Sequence, residues 1–227
     1  MRELFELCGR DPHVLFSPYC WRVRLALQHK GLTFTSRPLN FTDKAPLACS
    51  GQTLVPVLRD GEQVVHDSVA IFAYLDRSYP EQPLLGDGVA ATRARLLEKV
   101  VFQNLRMPLL KILVPRVQAT IAEADQAYFR STREKALGMS LEAFADPQAG
   151  EQALRQALQP LETWLTEQPY LDGEAPAGSD YLIAGLLFWA WCLGTQPWGA
   201  GTAVDQWFQR LLTRYEAQYG PVQRAVV

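Results

Sequence analysis

The chain has 227 residues, 48% of them hydrophobic and 20% charged, with a formal net charge of −2 and a pI near 6.0. A chain of this length buries a core without disulfide or metal staples, as one large domain or two small ones. The composition is that of an ordinary soluble globular protein, and without a basic excess there is no electrostatic footprint for nucleic acid.

The first residues are too few and too charged for a secretory signal, and no apolar run reaches spanning length. A cytoplasmic protein with no membrane contact is therefore expected. The four cysteines, Cys8, Cys20, Cys49 and Cys192, form no C-x-x-C and read as reduced thiols. His13, His29 and His66 form no ligand cluster with them, so no metal is expected.

In chain order, residues 3–8 read as a first strand, followed by a connection at 10–16 that is longer than a strand-to-helix turn needs. Residues 16–31 then hold a turn with Ser17 and Pro18 and an amphipathic helix, with Val23, Ala26 and Leu27 at i, i+3, i+4 spacing. Pro18 suits an early helical position, and Gly31 stops the helix behind His29 and Lys30. Ser17 has two readings: a helix cap, or a hydroxyl that joins the positive helix end in stabilising an anion such as a thiolate.

Residues 33–39 read as a second strand, and 40–52 as a turn-rich loop with at most a short helix. A hairpin follows, 54–58 and 63–66 around Asp60-Gly61. Pro56 inside it implies an edge strand or a functional break. Asp67 and Ser68 are N-cap candidates for a helix with Val69, Ile71, Phe72 and Leu75 on its apolar face.

A Pro/Gly-rich break at 79–88 ends the strand signal. Residues 90–127 read as helical, with Pro108 and Pro115 each expected to end or kink a helix, and 148–167 as helical around Pro160. Ser179 is expected to cap a buried helix at 180–193 with Leu182 three residues on, so the reciprocal half of a capping box is missing, at a small stability cost. Residues 204–219 give the last helix. The expectation is an α/β plus all-α protein: 1–82 a βαβ–ββα domain, 83–90 a linker, and 91–227 an all-helical domain.

Three blocks, Ser17-Pro-Tyr-Cys-Trp-Arg-Val-Arg24, Leu54-Val-Pro-Val-Leu58 and Asp67-Ser-Val-Ala-Ile71 running on to Tyr74-Leu-Asp76, occur in that order before the break. With the two-part layout, the chain resembles the glutathione transferase superfamily. The long loop before Ser17, the S-P-Y-x-W-R block and Asp67-Ser68 are most similar to its bacterial β-aryl-ether-cleaving and fungal etherase-like branch.

The resemblance implies a thioredoxin-like N-terminal domain and a cytoplasmic detoxification enzyme, with glutathione as co-substrate and a homodimeric partner. The second substrate would be a small hydrophobic, aromatic electrophile; ether cleavage, conjugation, peroxide reduction and isomerisation are the reactions it allows. Free thiols titrate near about 8.5, so such an enzyme must favour the thiolate, and the resemblance gives that role to Ser17 as hydrogen-bond donor. Val55 would offer its backbone to the cysteinyl part of glutathione beside a cis Pro56. Asp67 and Ser68 would take the γ-glutamyl end at a helix N-terminus. Lys44 and Gln52 would face the glycyl carboxylate.

Trp21, Arg22 and Arg24 read as packing and surface charge, and His13 as a surface residue. Tyr19, Leu105, Met107 and Trp198 are candidate walls for the acceptor. Two alternatives remain at this point. One is a non-catalytic glutathione-binding or scaffold protein of the same fold, and the other a glutathione-dependent thiol oxidoreductase using Cys20, one turn beyond Ser17.

Overall fold

The computed structural model describes residues 1–86 and 88–226. Asp87, inside the expected linker, and Val227, the last residue of the expected helical domain, lie outside the described residues.

The first unit is a mixed sheet with helices packed on it. β1 (Arg2–Leu7) pairs in parallel with β2 (Thr35–Leu39) and antiparallel with β3 (Val57–Asp60), which continues into β4 (Gln63–His66), giving the order β2-β1-β3-β4. A parallel β1–β2 pair needs a crossover, and α1 (Pro18–His29) supplies it, burying Val23, Ala26 and Leu27 against the sheet residues Leu4 and Leu58. A short 3-10 turn, Ala45–Ser50, lies between β2 and β3, and α2 (Ser68–Ser78) follows β4. β3 starts one residue after Pro56 and lies between β1 and β4, which overturns the edge-strand reading of that proline. Preceding the strand, Pro56 withdraws no donor from the ladder.

The second unit is helical. α3 (Gly88–Leu97) runs through a π-helical turn, Glu98–Phe102, into α4 (Gln103–Thr120); α5 (Gln126–Leu137), the single-turn α6 (Leu141–Phe144), α7 (Pro147–Glu167), α8 (Gly178–Cys192) and α9 (Ala203–Tyr219) complete it. Of the two outcomes expected at Pro108 and Pro115, an end does not occur: α4 runs through both, and α7 runs through Pro160. Each removes one helical hydrogen bond, about 3 kcal/mol in an isolated helix. The buried face of α4 (Leu105, Leu109, Ile112, Leu113, Val117) offsets that loss.

The start of α8 also departs from expectation. Its cap is Ala177, and Asp180 supplies the reciprocal bond that a cap at Ser179 would have lacked. Asp180 Oδ2 accepts the Ala177 N–H at 3.1 Å, while its Oδ1 accepts from Leu171 N–H at 2.8 Å and Trp207 Nε1–H at 2.7 Å. Ser179 instead donates its hydroxyl to Asp172 at 2.8 Å. The half expected to be missing is therefore present, and the half that is absent is the cap side chain, because Ala177 makes no cap hydrogen bond.

The two units meet along α1 and α8. Trp21 stacks on Phe188 at 4.4 Å between ring centroids, and a Cβ on Gly185 would fall 2.3 Å from the Pro18 carbonyl oxygen. Only glycine lets α8 approach the first turn of α1 this closely. Arg24, expected as surface charge, is instead sequestered: its Nη1 donates to buried Glu6 at 2.5 Å and its Nε to the Tyr215 hydroxyl at 2.7 Å. Among the described residues no helix is long and apolar enough to cross a membrane. No group of three or more His, Cys, Asp or Glu there is placed to hold a metal ion.

Candidate active site

Ser17 is the N-cap of α1: its extended backbone (φ −73°, ψ 124°) turns the hydroxyl to accept the Cys20 N–H at 3.3 Å. The loop ahead of it is pinned on both sides. Trp21 Nε1–H donates to the Leu15 carbonyl at 2.6 Å, and Arg10 N–H to the Thr120 carbonyl at 2.9 Å. Ser17 is 5% exposed, and that remnant faces a cavity of about 450 Å³, the size of a small-molecule site.

One wall of the cavity comes from the first unit and holds three of the expected residues, Ser17, Val55 and Lys44. The Val55–Pro56 peptide bond is cis. Burial lowers the Lys44 pKa, and its Nζ sits 5.6 Å from the centre of the Tyr128 ring. Gln52 is not on this wall. Its carboxamide is spent locally, accepting from Leu54 N–H at 2.5 Å and donating to the Leu54 carbonyl at 2.6 Å.

Asp67 and Ser68 do not line the cavity either; they form the cap of α2. Asp67 holds a positive φ of 69°, and its carboxylate accepts the Val69 and Ala70 N–H groups at 2.9 and 3.0 Å. A non-glycine residue in that region is uncommon and concentrates at ligand sites.

The link between the two caps is Arg22, which is no surface charge. It is fully buried, five residues after Ser17, and donates from Nη1 to Ser68 Oγ at 3.2 Å and from Nε to the Leu182 carbonyl at 3.0 Å. The π-helical turn brings Glu98 to 3.6 Å from Nη1 and the Phe102 ring beneath the guanidinium at 3.9 Å. Desolvation lowers the Arg22 pKa to about 10, against the pull of Glu98, and Nη2 has no partner among the described residues. With Arg22 donating into its oxygen, Ser68 keeps its own hydroxyl proton for a ligand.

The opposite wall comes from the helices. α4 supplies Arg106, Met107 and Leu110, α5 supplies Tyr128, Phe129 and Arg133, and α8 supplies Trp189. Tyr19 and Met107 line the cavity as expected, but Leu105 and Trp198 do not; both are packed in the core, with Trp198 Nε1–H donating to Asp205 at 3.1 Å. Sequence reasoning left α5 unassigned, because Phe129 is its only buried residue and no apolar stripe marks it. Arg133, one turn after Phe129, was the available signal. The walls are joined by buried Asp125, which accepts from Phe41 N–H at 2.8 Å and from the Thr42 N–H and hydroxyl at 2.9 and 2.7 Å.

Cys20 is fully buried, and desolvation pushes its thiol up to about 12, which leaves no thiolate at neutral pH. His13 is exposed, away from the cavity lining.

Known families and structures match this arrangement. The glutathione S-transferase N-terminal domain family matches residues 12–83, and the C-terminal domain family matches residues 93–219. The chain belongs to the glutathione S-transferase family. It is a GST-like enzyme, of a family whose co-substrate is glutathione. It is similar to the glutathione S-transferase-like protein ustS of Aspergillus flavus, 23% identical over 208 residues that cover 78% of this chain and 75% of the relative. The glutathione transferase GSTFuA3 of Phanerochaete chrysosporium superposes with a TM-score of 0.83 at 23% identity, covering 95% of this chain and 97% of that one. The glutathione S-transferase CsGST63524 of Ceriporiopsis subvermispora, solved in complex with glutathione, superposes at 0.81 with 22% identity and 99% coverage of both chains.

Proposed function

We propose that this enzyme binds reduced glutathione between the wall of Ser17, Lys44 and Val55 and the α2 cap at Asp67 and Ser68, and uses its thiolate on a small hydrophobic, aromatic electrophile held against α4 and α5. The observation that carries this reading is Ser17: a hydroxyl at the N-cap of a twelve-residue helix, open to a cavity that Val55 and Lys44 also line. Glutathione supplies the sulfur nucleophile. The chain supplies position and electrostatics. Ser17 donates to the sulfur with the dipole of α1 behind it, a charge-assisted bond that favours the thiolate. The backbone of Val55 docks the cysteinyl unit, beside cis Pro56. Lys44 takes the glycyl carboxylate, and Gln52 holds the loop rather than touching the ligand. Asp67 and Ser68 receive the γ-glutamyl end, with Ser68 donating its hydroxyl proton to the carboxylate.

Aryl-ether cleavage is the reaction this reading puts first among those open to the fold, on the strength of the S-P-Y-x-W-R block at 17–22 and Asp67-Ser68. A glutathione-binding domain at 1–82, a linker at 83–90, a substrate-binding domain at 91–227, a cytoplasmic homodimer and a detoxification role belong to the same proposal. The oxidoreductase alternative loses its support because the Cys20 thiol is sealed from the cavity.

The test is glutathione binding followed by the ultraviolet absorbance of the bound thiolate against pH. Wild type is expected to titrate well below free glutathione and Ser17→Ala close to it. No binding by wild type overturns the proposal, and an unchanged titration in Ser17→Ala removes Ser17 from its role.

A further inference from the structure

The acceptor half of the cavity carries a charge that glutathione does not use. The whole cavity lining holds three cations, Lys44 from the first unit and Arg106 and Arg133 from the helices, against a single acid, Asp43. None of the three cations forms a salt bridge among the described residues. The side chain of Arg106 has a long contact of 3.4 Å to Gln103, and that of Arg133 one of 3.4 Å to the Thr132 hydroxyl. Asp125, the nearby buried acid, is spent on Phe41 and Thr42. Glutathione has two carboxylates, and the proposed site already gives one to Lys44 and the other to Asp67 and Ser68. Two guanidiniums are left over.

Their setting is aromatic. The Arg133 guanidinium lies 5.6 Å from the Phe41 ring centre and 5.4 Å from that of Phe129, and Tyr19, Tyr128 and Trp189 face the same cavity. A guanidinium among rings gains cation–π energy and gives up water. The Arg133 pKa is lowered by that burial, with repulsion from Arg106 adding to it. Two half-buried like charges without a counter-ion are costly, and a planar oxyanion between flat rings removes the cost through bidentate, charge-assisted bonds.

We infer that the acceptor site selects a flat aromatic acid, its rings against Tyr128 and Trp189 and its carboxylate received by Arg106 and Arg133. This rests on the glutathione reading above and names the substrate class of the same site. A neutral aromatic fills the cavity but leaves the guanidiniums unanswered, so the charge sets preference by difference.

The test needs no turnover. Calorimetry compares S-benzylglutathione with its 3-carboxy and 4-carboxybenzyl analogues, which differ only by the anion. At least one carboxylate is expected to bind about tenfold tighter than the neutral conjugate, with a preference that shrinks at high salt. In Arg106→Gln and Arg133→Gln the readout is the ratio of the two affinities, and at least one variant is expected to bring it close to unity. Arg133→Lys, which keeps the charge, is expected to keep part of the preference. Binding of S-benzylglutathione with no preference for either carboxylate overturns the inference and leaves the glutathione reading standing. A preference that survives in both Gln variants also overturns it. Binding of no conjugate at all fails the glutathione reading, and the inference with it.

Discussion

On one side of the cavity, Ser17 and Val55 sit at places where regular structure begins, a helix cap and the residues ahead of β3, as Asp67 does at a second helix cap. On the other side, Arg106, Tyr128 and Arg133 are long side chains carried on the helices α4 and α5. The first wall works through fixed dipoles and the spare N–H groups of helix ends, which need no ordering when a ligand arrives. The second works through flexible side chains whose rotamer entropy is lost on binding. A wall of the first kind tolerates little substitution, because the groups that bind also start the helices. One of the second kind changes its ligand by exchanging surface side chains while the fold stands. In the function proposed above, the common co-substrate belongs with the first wall and selectivity with the second.

That contrast is broken most sharply at Ser17. Ser17→Ala is expected to lower the rate of glutathione-dependent turnover about 100-fold, the usual effect of losing one donor to a developing or stabilised anion. It should also cost about 1 kcal/mol of stability as a lost cap. Steady-state kinetics and a denaturant melt on one preparation measure both; a stability loss with full activity would make Ser17 a cap and nothing more.

Asp125→Ala cuts the joint between the walls, leaving the buried Phe41 N–H without its partner. About 2 kcal/mol of stability should go, together with weaker binding on both sides, since the loop bearing Lys44 and the start of α5 come free together. Urea denaturation and calorimetry with S-benzylglutathione check this, and an effect on stability alone would show that the walls do not need each other.

Arg22→Met keeps the volume and removes the donor to Ser68. The expected outcome is a KM for glutathione raised roughly fivefold at similar kcat, about 1 kcal/mol for one hydrogen bond. A fall in kcat at constant KM would instead tie Arg22 to the thiolate.

The smallest effect concerns the thiols. Burial holds Cys8 near about 11 and Cys20 and Cys192 near about 12, while Cys49 is exposed. An aromatic disulfide reagent is expected to label one cysteine, Cys49, in the native protein. Cys20→Ala should then change turnover less than about twofold. Rapid labelling of Cys20 with loss of activity would restore the oxidoreductase reading.

The two walls also differed in how far the sequence disclosed them. Ser17, Asp67 and the hairpin around Gly61 are local signals: a cap, a cap and a turn each satisfy neighbours in the chain, so their residue types show without a fold. Arg22 was misread because its charge suggests solvent, and only the arrival of α8 and the π-helical turn buries it. Gln52 shows the opposite limit: a polar loop residue suggests a ligand, while the fold gives its carboxamide a near partner in Leu54. Pro108 and Pro115 were expected to end or kink a helix; α4 continues through both because its buried face outweighs the local loss of hydrogen bonds.

The sequence by itself determined the order of elements, the two-part layout and the residues that begin α1 and α2, because periodicity, caps and turns are short-range. The tertiary structure decided which of those residues share a cavity, that Arg22 of α1 donates to Ser68 at the cap of α2, and that α5 joins α4 and α8 in the second wall. Phe129 is the only buried residue of α5, and the cations at the cavity stand far apart in the chain, from Lys44 to Arg106 and Arg133. No short-range pattern brings such residues together; the packing of one unit against the other does.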